Sequence, residues 1–347
     1  MIGPWFKELK YLAAYINPAL TVIGLYAGGI WSFTNVIFVF LMVPLIDHFS
    51  PNDASNLSQE QKSLYAKQKY FDWILYLNLP ILLLVIYLYG NSLDKNTFSL
   101  FEIVGNTWSV GIVIGTCGIN VGHELGHRKS KFDQLMAQLL LTPAFYTHFF
   151  VEHNRGHHKY VATPIDPATA QKGEVLYFFW FKSILKSYSS AWKIQRNLLK
   201  RNKQSFWGFK NTMLNLTLLQ FFYLSLLLTL FNLSTVLIIV CAGIIGIFLL
   251  ETINYLEHYG LSRKTLSHAG FERVKPRHSW NANFSFGRIV LYELTRHSDH
   301  HFLANKKYQL LDHHDDSPQL PFGYPTMMLV ALVPPLWFKM MHPLLPE

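Results

Sequence analysis

Six stretches of this sequence are too long and too apolar to be the parts of an ordinary soluble globule. They run roughly over residues 13–31, 33–49, 71–89, 98–122, 213–231 and 233–255. A hydrocarbon core ~30 Å thick takes about 20 mostly apolar residues as helix, and each stretch meets or approaches that length. The first two follow one another with almost no linker, and the last two turn around Asn232, so both pairs read as membrane hairpins. Only 15% of the 347 residues are charged, against ~25% in a typical soluble domain. Half are hydrophobic, which excludes a disordered chain. The expected fold is an all-α integral membrane protein: one membrane-embedded domain over residues 1–347, with six transmembrane helices. Two polar segments, 123–212 and 256–347, would form a cytoplasmic, histidine-rich helical cap. Residues 132–150 and 176–199 are apolar but interrupted by Pro143, Lys182, Lys186 and Lys193. They are expected to lie as interfacial or buried helices beneath the membrane unit.

Charge sets the sidedness. The formal net charge is +9, and residues 123–211 hold 14 Lys and Arg while residues 256–347 hold 10. Lys62, Lys67 and Lys69 lie between the second and third stretches, Lys7 and Lys10 lie at the N-terminus, and the opposite side has Lys95. Basic loops stay cytoplasmic, so both termini and the polar cap are expected on the cytoplasmic side of the inner membrane. No cleavable signal peptide is expected, because residues 1–10 lead into no short apolar run with a small-residue cleavage site. The basic residues are dispersed and carry no nucleic-acid-binding motif, which leaves anionic lipid and an acidic protein as counterparts. Two cysteines, Cys117 and Cys241, each inside an apolar stretch, exclude a disulfide framework and a four-cysteine metal site.

Sixteen histidines are many for this length, and most are clustered. The fourth apolar stretch runs into Gly122-His123-Glu124-Leu125-Gly126-His127. Glu152-His153-Asn154-Arg155-Gly156-His157-His158 follows, the sixth stretch runs into Asn254-Tyr255-Leu256-Glu257-His258, and Arg296-His297-Ser298-Asp299-His300-His301 comes last. Residues three and four apart share a helix face. Three of the clusters can therefore present at least two imidazoles in one direction. Neutral imidazole is a ligand for iron, copper and zinc, and nine histidines are more than one ion uses. Two metals are implied, held by His123, His127, His153, His157, His158, His258, His297, His300 and His301. Glu124, Glu152, Glu257 and Asp299 adjoin these residues, and Glu251 lies inside the sixth stretch on the face of His258. Such carboxylates commonly accept the other imidazole N–H and fix its tautomer; His278, in Arg277-His278-Ser279-Trp280-Asn281, is a further candidate for that support. Each carboxylate could equally be a solvated or Arg-paired acid.

Together these motifs resemble the integral-membrane alkane monooxygenases, non-haem diiron enzymes of the wider membrane desaturase and hydroxylase superfamily. Three histidine boxes would mark the superfamily alone. The sequence Asn254-Tyr255-Leu256-Glu257-His258-Tyr259-Gly260-Leu261 narrows the likeness to alkane hydroxylases. So do Val161-Ala162-Thr163-Pro164-Ile165-Asp166-Pro167 and His278-Ser279-Trp280-Asn281. Where family members usually have Leu-Gln-Arg before the last box, this chain has Leu294-Thr295-Arg296. The resemblance implies two irons on the nine histidines, no bridging carboxylate, and O2 as co-substrate. It also implies terminal hydroxylation of medium- or long-chain n-alkanes to 1-alkanols. Electrons would come from a separate rubredoxin served by its reductase. Spacing alone does not separate iron from zinc; the resemblance favours iron.

A linear alkane offers no polar handle, so selectivity needs a narrow apolar channel. Ile112 and Thr116 on the fourth stretch and Ile247 and Leu250 on the sixth are expected to line it, with ordinary helix packing as the competing role. Gly111, Gly115, Gly118 and Gly122 fall on one helical face and are read as a close-packing stripe. Arg128, Lys129 and Lys159 beside the clusters are candidates for docking an acidic electron carrier, or else part of the general cytoplasmic charge. Competing readings are a xylene-type methyl hydroxylase, a fatty acyl desaturase or hydroxylase, and a non-enzymatic channel or scaffold. The rival from another enzyme class is a zinc protease, because His123-Glu124-Leu125-Gly126-His127 satisfies HExxH with Glu124 as base.

Overall fold

The computed structural model describes residues 8–50, 52–95, 98–266 and 270–346, and among these the chain is almost entirely helical. Five helices are long and apolar enough to cross a membrane: α2 (Gly29–Phe49), α3 (Tyr70–Asp94), α4 (Leu100–Gly126), α8 (Thr212–Leu230) and α9 (Leu233–His258). The first expected span is divided. A 3₁₀ segment, Leu9–Tyr15, leads into α1 (Ile16–Ala27), which is only 12 residues long. The chain turns at Gly28 and Gly29, with φ of 66° and 54°, rather than around Ser32. Two adjacent left-handed residues are cheap only for glycine, and that fixes the corner. His268 lies outside the described residues. Thr265–Leu266 and Gly270–Phe271 pair as two short antiparallel strands.

Helix ends are set by local chemistry. Ser99 caps α4 with Glu102 in a reciprocal capping box, and Asn211 and Asn232 cap α8 and α9; each cap satisfies an amide that hydrocarbon would leave unpaired. Asp94, at the end of α3, accepts from the Asn232 backbone and side chain, at 3.3 and 2.6 Å, which ties α3 to the α8–α9 turn. Inside the bundle Asn35 Nδ2 donates to Thr21 Oγ1 at 3.0 Å and to the Ser109 carbonyl at 3.2 Å. This knits α1, α2 and α4 together.

Beneath the long helices lie α5 (Lys131–Leu141), a helical run α6 over residues 149–160, and α7 (Leu176–Arg201). The interrupted apolar stretches thus become α5, which ends before Pro143, and α7. Along α7, Phe178, Phe181 and Leu185 are exposed while Phe179, Ser183 and Ser187 are buried. Farther on come α10 (His297–Phe302), α11 (Tyr324–Ala331) and α12 (Pro334–Met341). Trp337 and Met341 of α12 join Tyr255 and Tyr259 in a second core beside α9.

The glycine stripe on α4 does not stay on one face. Gly111 and Gly115 meet Ile245, Leu249 and Gly246 of α9, whereas Gly118 and Gly122 meet Leu82, Leu140 and Leu141. Across Gly115 and Gly118, Ile114–Asn120 winds as a π-helix. Its wider turn inserts a residue and rotates the face that follows. A fixed 3.6-residue period does not anticipate this.

Candidate metal centre

The nine histidines of the four clusters meet in one buried place, as two sets. Side-chain nitrogens of His123, His127, His153, His158 and His300 lie within 4.8 Å of one another, and so do those of His157, His258, His297 and His301. The last turns of α4 and α9 deliver His123 and His258, and His127 follows α4 directly. The run α6 supplies three imidazoles, and α10 supplies three.

Each of those two short helices divides its histidines between the sets. In α6, residues His153–His157 are π-helical, with hydrogen bonds spanning five residues instead of four. His153 and His158, five apart, therefore converge at 3.0 Å between Nε2 atoms, while His157 turns to His301 at 3.2 Å. The sequence pairing of His153 with His157 is not the pairing within a set. On α10, His297 and His301, four apart, join one set and His300 the other.

Other contacts between imidazoles are as close. His153 and His127 approach to 3.0 Å, His158 and His300 to 3.1 Å, and His297 and His258 to 3.1 Å, each between Nε2 atoms. Burial, reinforced by the neighbouring imidazoles, holds His153, His158, His297 and His301 far below the usual histidine pKa, and burial brings His300 to about 3. The rings are therefore neutral, and one proton per ring cannot satisfy so many converging nitrogens. Buried Nε2 of His123 has no hydrogen-bond partner among the described residues. Converging lone pairs repel unless a cation lies between them. Two nitrogens ligating one ion at about 2.1 Å stand about 3.0–3.4 Å apart. The donor set fits two metal ions bound through imidazole.

His157 differs from the rest. Burial alone would lower its pKa, but Asp166, 2.9 Å from Nδ1, raises it. Asp166 is fully enclosed and also accepts from Thr169 Oγ1 at 2.6 Å and the Ala168 amide at 3.2 Å. It holds the Nδ1 proton and turns Nε2 toward the set. Sequence reasoning noted the Val161–Pro167 motif but gave Asp166 no role. The available signal was an acid in the turn just after a histidine cluster.

The carboxylates expected to support the imidazoles mostly do other work. Glu124 accepts from Arg128 and from the Tyr308 amide, both at 3.2 Å. Glu152 meets Ser190 at 3.4 Å, and burial, together with the nearby Asp166 charge, raises its carboxyl to about 8. Glu251 accepts from Tyr146 at 2.8 Å and Asn254 at 3.3 Å. Asp299 binds Lys306, His314 and the Asp312 amide. Among the described residues none of these four bonds one of the nine imidazoles. Glu257 alone of the expected acids reaches one, His297. His278 instead takes the Lys275 amide on Nδ1 and faces Glu272.

A narrow cavity of about 80 Å³ ends on the histidines. His123, His153 and His297 line it together with Ile112, Thr116 and Leu250, three of the four expected channel residues. Ile247 is not in the wall; it packs against the core, and Gly246 just before it brings α9 close to Ile114. Phe40, Leu249 and Met328 face both this cavity and a groove of about 780 Å³ along the outside of the bundle. Of the expected docking cations, Lys129 and Lys159 are exposed. Arg128 is not free: it is buried, 2.5 Å from Asp72 and 3.2 Å from Glu124, so its charge is consumed internally.

Residues 102–331, which contain all nine histidines, match the fatty acid desaturase family. The chain is 36% identical over 338 residues to alkane 1-monooxygenase 1 of Alcanivorax borkumensis, covering 96% of this chain and 83% of that protein. It is 37% identical over 339 residues to the alkane 1-monooxygenase of Acinetobacter baylyi, covering 94% and 82%. The chain belongs to the membrane alkane 1-monooxygenases. A more distant similarity, 29% over 343 residues, links it to the hydroxylase component of the xylene/toluene monooxygenase of Pseudomonas putida, covering 96% of this chain and 87% of that one. As an alkane 1-monooxygenase the chain is an oxidoreductase; both of its histidine sets fall inside residues 102–331, and the cavity wall also draws on Asn17, Val39, Phe40 and Val43 outside them. The HExxH protease reading does not survive. Glu124 is turned to Arg128 and the Tyr308 amide, and the nitrogens of His123 and His127 sit within a five-imidazole set.

Proposed function

We propose that this membrane monooxygenase hydroxylates the terminal methyl group of medium- or long-chain n-alkanes, giving 1-alkanols, with two irons on the nine histidines. The observation that carries the reading is the junction of a narrow apolar cavity with both imidazole sets. An iron pair held there supplies O2 activation: one oxygen atom enters the C–H bond and the other leaves as water, with two electrons and two protons consumed. The chain's own residues do the rest. Ile112, Thr116 and Leu250 confine an unbranched chain so that its end, not its middle, meets the histidines. Phe40, Leu249 and Met328 separate the cavity from lipid, which is where an alkane dissolves. Asp166 keeps the proton of His157 on Nδ1. Apolar walls keep water from the reacting end.

The same reading includes the membrane arrangement. The 3₁₀ segment Leu9–Tyr15 and α1 together rise ~32 Å, enough for a sixth crossing. That parity puts both termini and the histidine cap on the cytoplasmic side of the inner membrane, as the basic loops require. Lys129 and Lys159 are exposed on the segments carrying the histidines and suit an acidic rubredoxin as electron donor.

The test is purified protein supplied with reduced rubredoxin, isotope-labelled O2 and a ladder of n-alkanes. Labelled 1-alkanols and about two irons per chain are expected. One zinc without iron, or alcohol lacking the label, would overturn the proposal. Turnover of methylarenes in preference to alkanes would move the chain to the xylene-type group.

A further inference from the structure

Between Glu174 and Glu251 the chain carries no acidic residue, yet α7 and the loop behind it hold eight Lys and Arg. Lys182 is held by Glu174 at 2.7 Å. Lys193, Arg196, Lys200, Arg201, Lys203 and Lys210 are all exposed, and among the described residues none of them has an ion-pair partner. The outer face of α7 changes character along its length. Phe178, Phe181 and Leu185 come first, and Lys193, Arg196 and Lys200 continue that face at helical spacing. Residues 202–211 then turn back to α8 as a fixed loop. The Gln204 amide donates to the Leu199 carbonyl at 2.9 Å, Asn211 Nδ2 to the Phe206 carbonyl at 2.9 Å and Asn215 Nδ2 to the Phe209 carbonyl at 2.8 Å, while Phe206 stacks on Trp192. This frame leaves Trp207 and Phe209 79% and 95% exposed, just before a helix long and apolar enough to cross a membrane.

We propose that the outer face of the C-terminal half of α7, with the loop 202–211, binds the headgroups of anionic phospholipid. This rests on the membrane arrangement given above, not on the chemistry at the histidines. A large aromatic side chain exposed beside a crossing helix belongs where hydrocarbon meets headgroup. Phe178, Phe181 and Leu185 make the same anchor at the other end of α7, because an amphipathic helix buries its apolar residues at the acyl boundary. The cations lie along the chain between these two anchors and are thereby held at headgroup depth. Their long stems let the charges reach phosphate while the carbons stay against apolar surface. With no acid of the chain to balance them, these charges are neutralised from outside, and an anionic leaflet strengthens attachment about fivefold for each Lys or Arg near it. An acidic carrier protein fits this surface less well, since both of its ends are set in the bilayer. The inner side of the same helix packs on α6: Ala191 meets Val151, and Ser190 Oγ donates to Glu152 at 3.4 Å. Lipid bound outside therefore braces the helix that backs three of the imidazoles.

The experiment is native mass spectrometry of the intact protein released from micelles that contain equal amounts of phosphatidylglycerol and phosphatidylcholine with the same acyl chains. Wild type is expected to retain phosphatidylglycerol in clear excess. Arg196→Gln with Lys200→Gln, both at exposed positions, should lower that excess roughly fivefold or more. Lys129→Gln with Lys159→Gln removes as much charge elsewhere and should leave it unchanged. No preference in wild type, or the same loss in both double variants, would overturn the proposal. So would a raised KM for reduced rubredoxin in Arg196→Gln with Lys200→Gln while the lipid preference stays intact, which would give the surface to the electron carrier. Trp207 reports the depth of the loop. In vesicles of the same two lipids, the emission that Trp207→Phe lacks should be quenched by phospholipid brominated in its acyl chains, and no quenching would place the loop in water and overturn the assignment. Alkane hydroxylation is untouched by these outcomes; it fails separately, if no labelled 1-alkanol forms.

Discussion

His157 Nδ1 and Asp166 Oδ2 stand 2.9 Å apart, both fully enclosed, nine residues from each other in sequence. Removing the charge of a carboxylate that orients a metal-binding imidazole typically costs 10–100-fold in metal affinity. Asp166→Asn is therefore expected to release iron to a competing chelator roughly ten- to a hundredfold more readily while keeping its helical content. Unchanged chelator resistance would show that the pair is not orienting a ligand.

Cavity geometry separates Ile112 and Leu250 from Ile247. Ile112→Phe or Leu250→Phe should shift the preferred alkane to shorter chains, because the added ring fills the wall beside the histidines. Ile247→Phe lies outside the cavity and should leave the chain-length profile where it was. Gas chromatography of alcohols from a mixed alkane feed decides this, and equal effects at all three positions would count against the assigned channel.

Glu293 predicts an acid-sensitive fold. Burial alone would raise its carboxyl, but Lys10 at 3.1 Å and Arg288 at 2.7 Å hold it at about 2, below the ordinary 4.5. A carboxyl depressed in the folded state stabilises above its unfolded value and loses that contribution as pH falls toward the folded one. About 3 kcal/mol should disappear between roughly pH 5 and pH 2. In detergent the melting temperature should fall over this range, and Glu293→Gln, less stable at neutral pH, should show a flatter acid limb.

Charge on the face that carries the histidines can be assigned by rates. Lys129→Glu with Lys159→Glu should raise the KM for reduced rubredoxin, most strongly at low salt, with little change in kcat. Arg128→Ala should instead destabilise the protein by about 3 kcal/mol, since it leaves buried Glu124 without its cation, whereas Asp72 keeps Lys307 at 2.9 Å. An unchanged melting temperature for Arg128→Ala would contradict its place in the ion-pair network.

Much of this was legible in the sequence because the strongest signals were strong for physical reasons. Five of the six apolar stretches are continuous helices close to the expected limits. The nine histidines chosen by spacing and by resemblance are the nine that converge. What escaped was whatever depends on a departure from the regular helix. The π turns at Ile114–Asn120 and His153–His157 reassign faces that a 3.6-residue period had fixed. They split the glycine stripe and separate His153 from His157. Asp166 escaped because a turn carries no period. Glu152, Glu251 and Asp299 bond groups other than the nine imidazoles, because adjacency to a histidine says nothing of which way a carboxylate points.

The division of α10 between the two sets bears on how the protein is made. His300 completes one set and His297 and His301 the other, and all three are synthesised only after the last long apolar helix has left the ribosome. Neither ion has a finished berth on a nascent chain that stops short of this point. Metal capture at these sets would thus be a closing event of biogenesis, and a chain truncated before residue 297 would insert into the bilayer with both berths open.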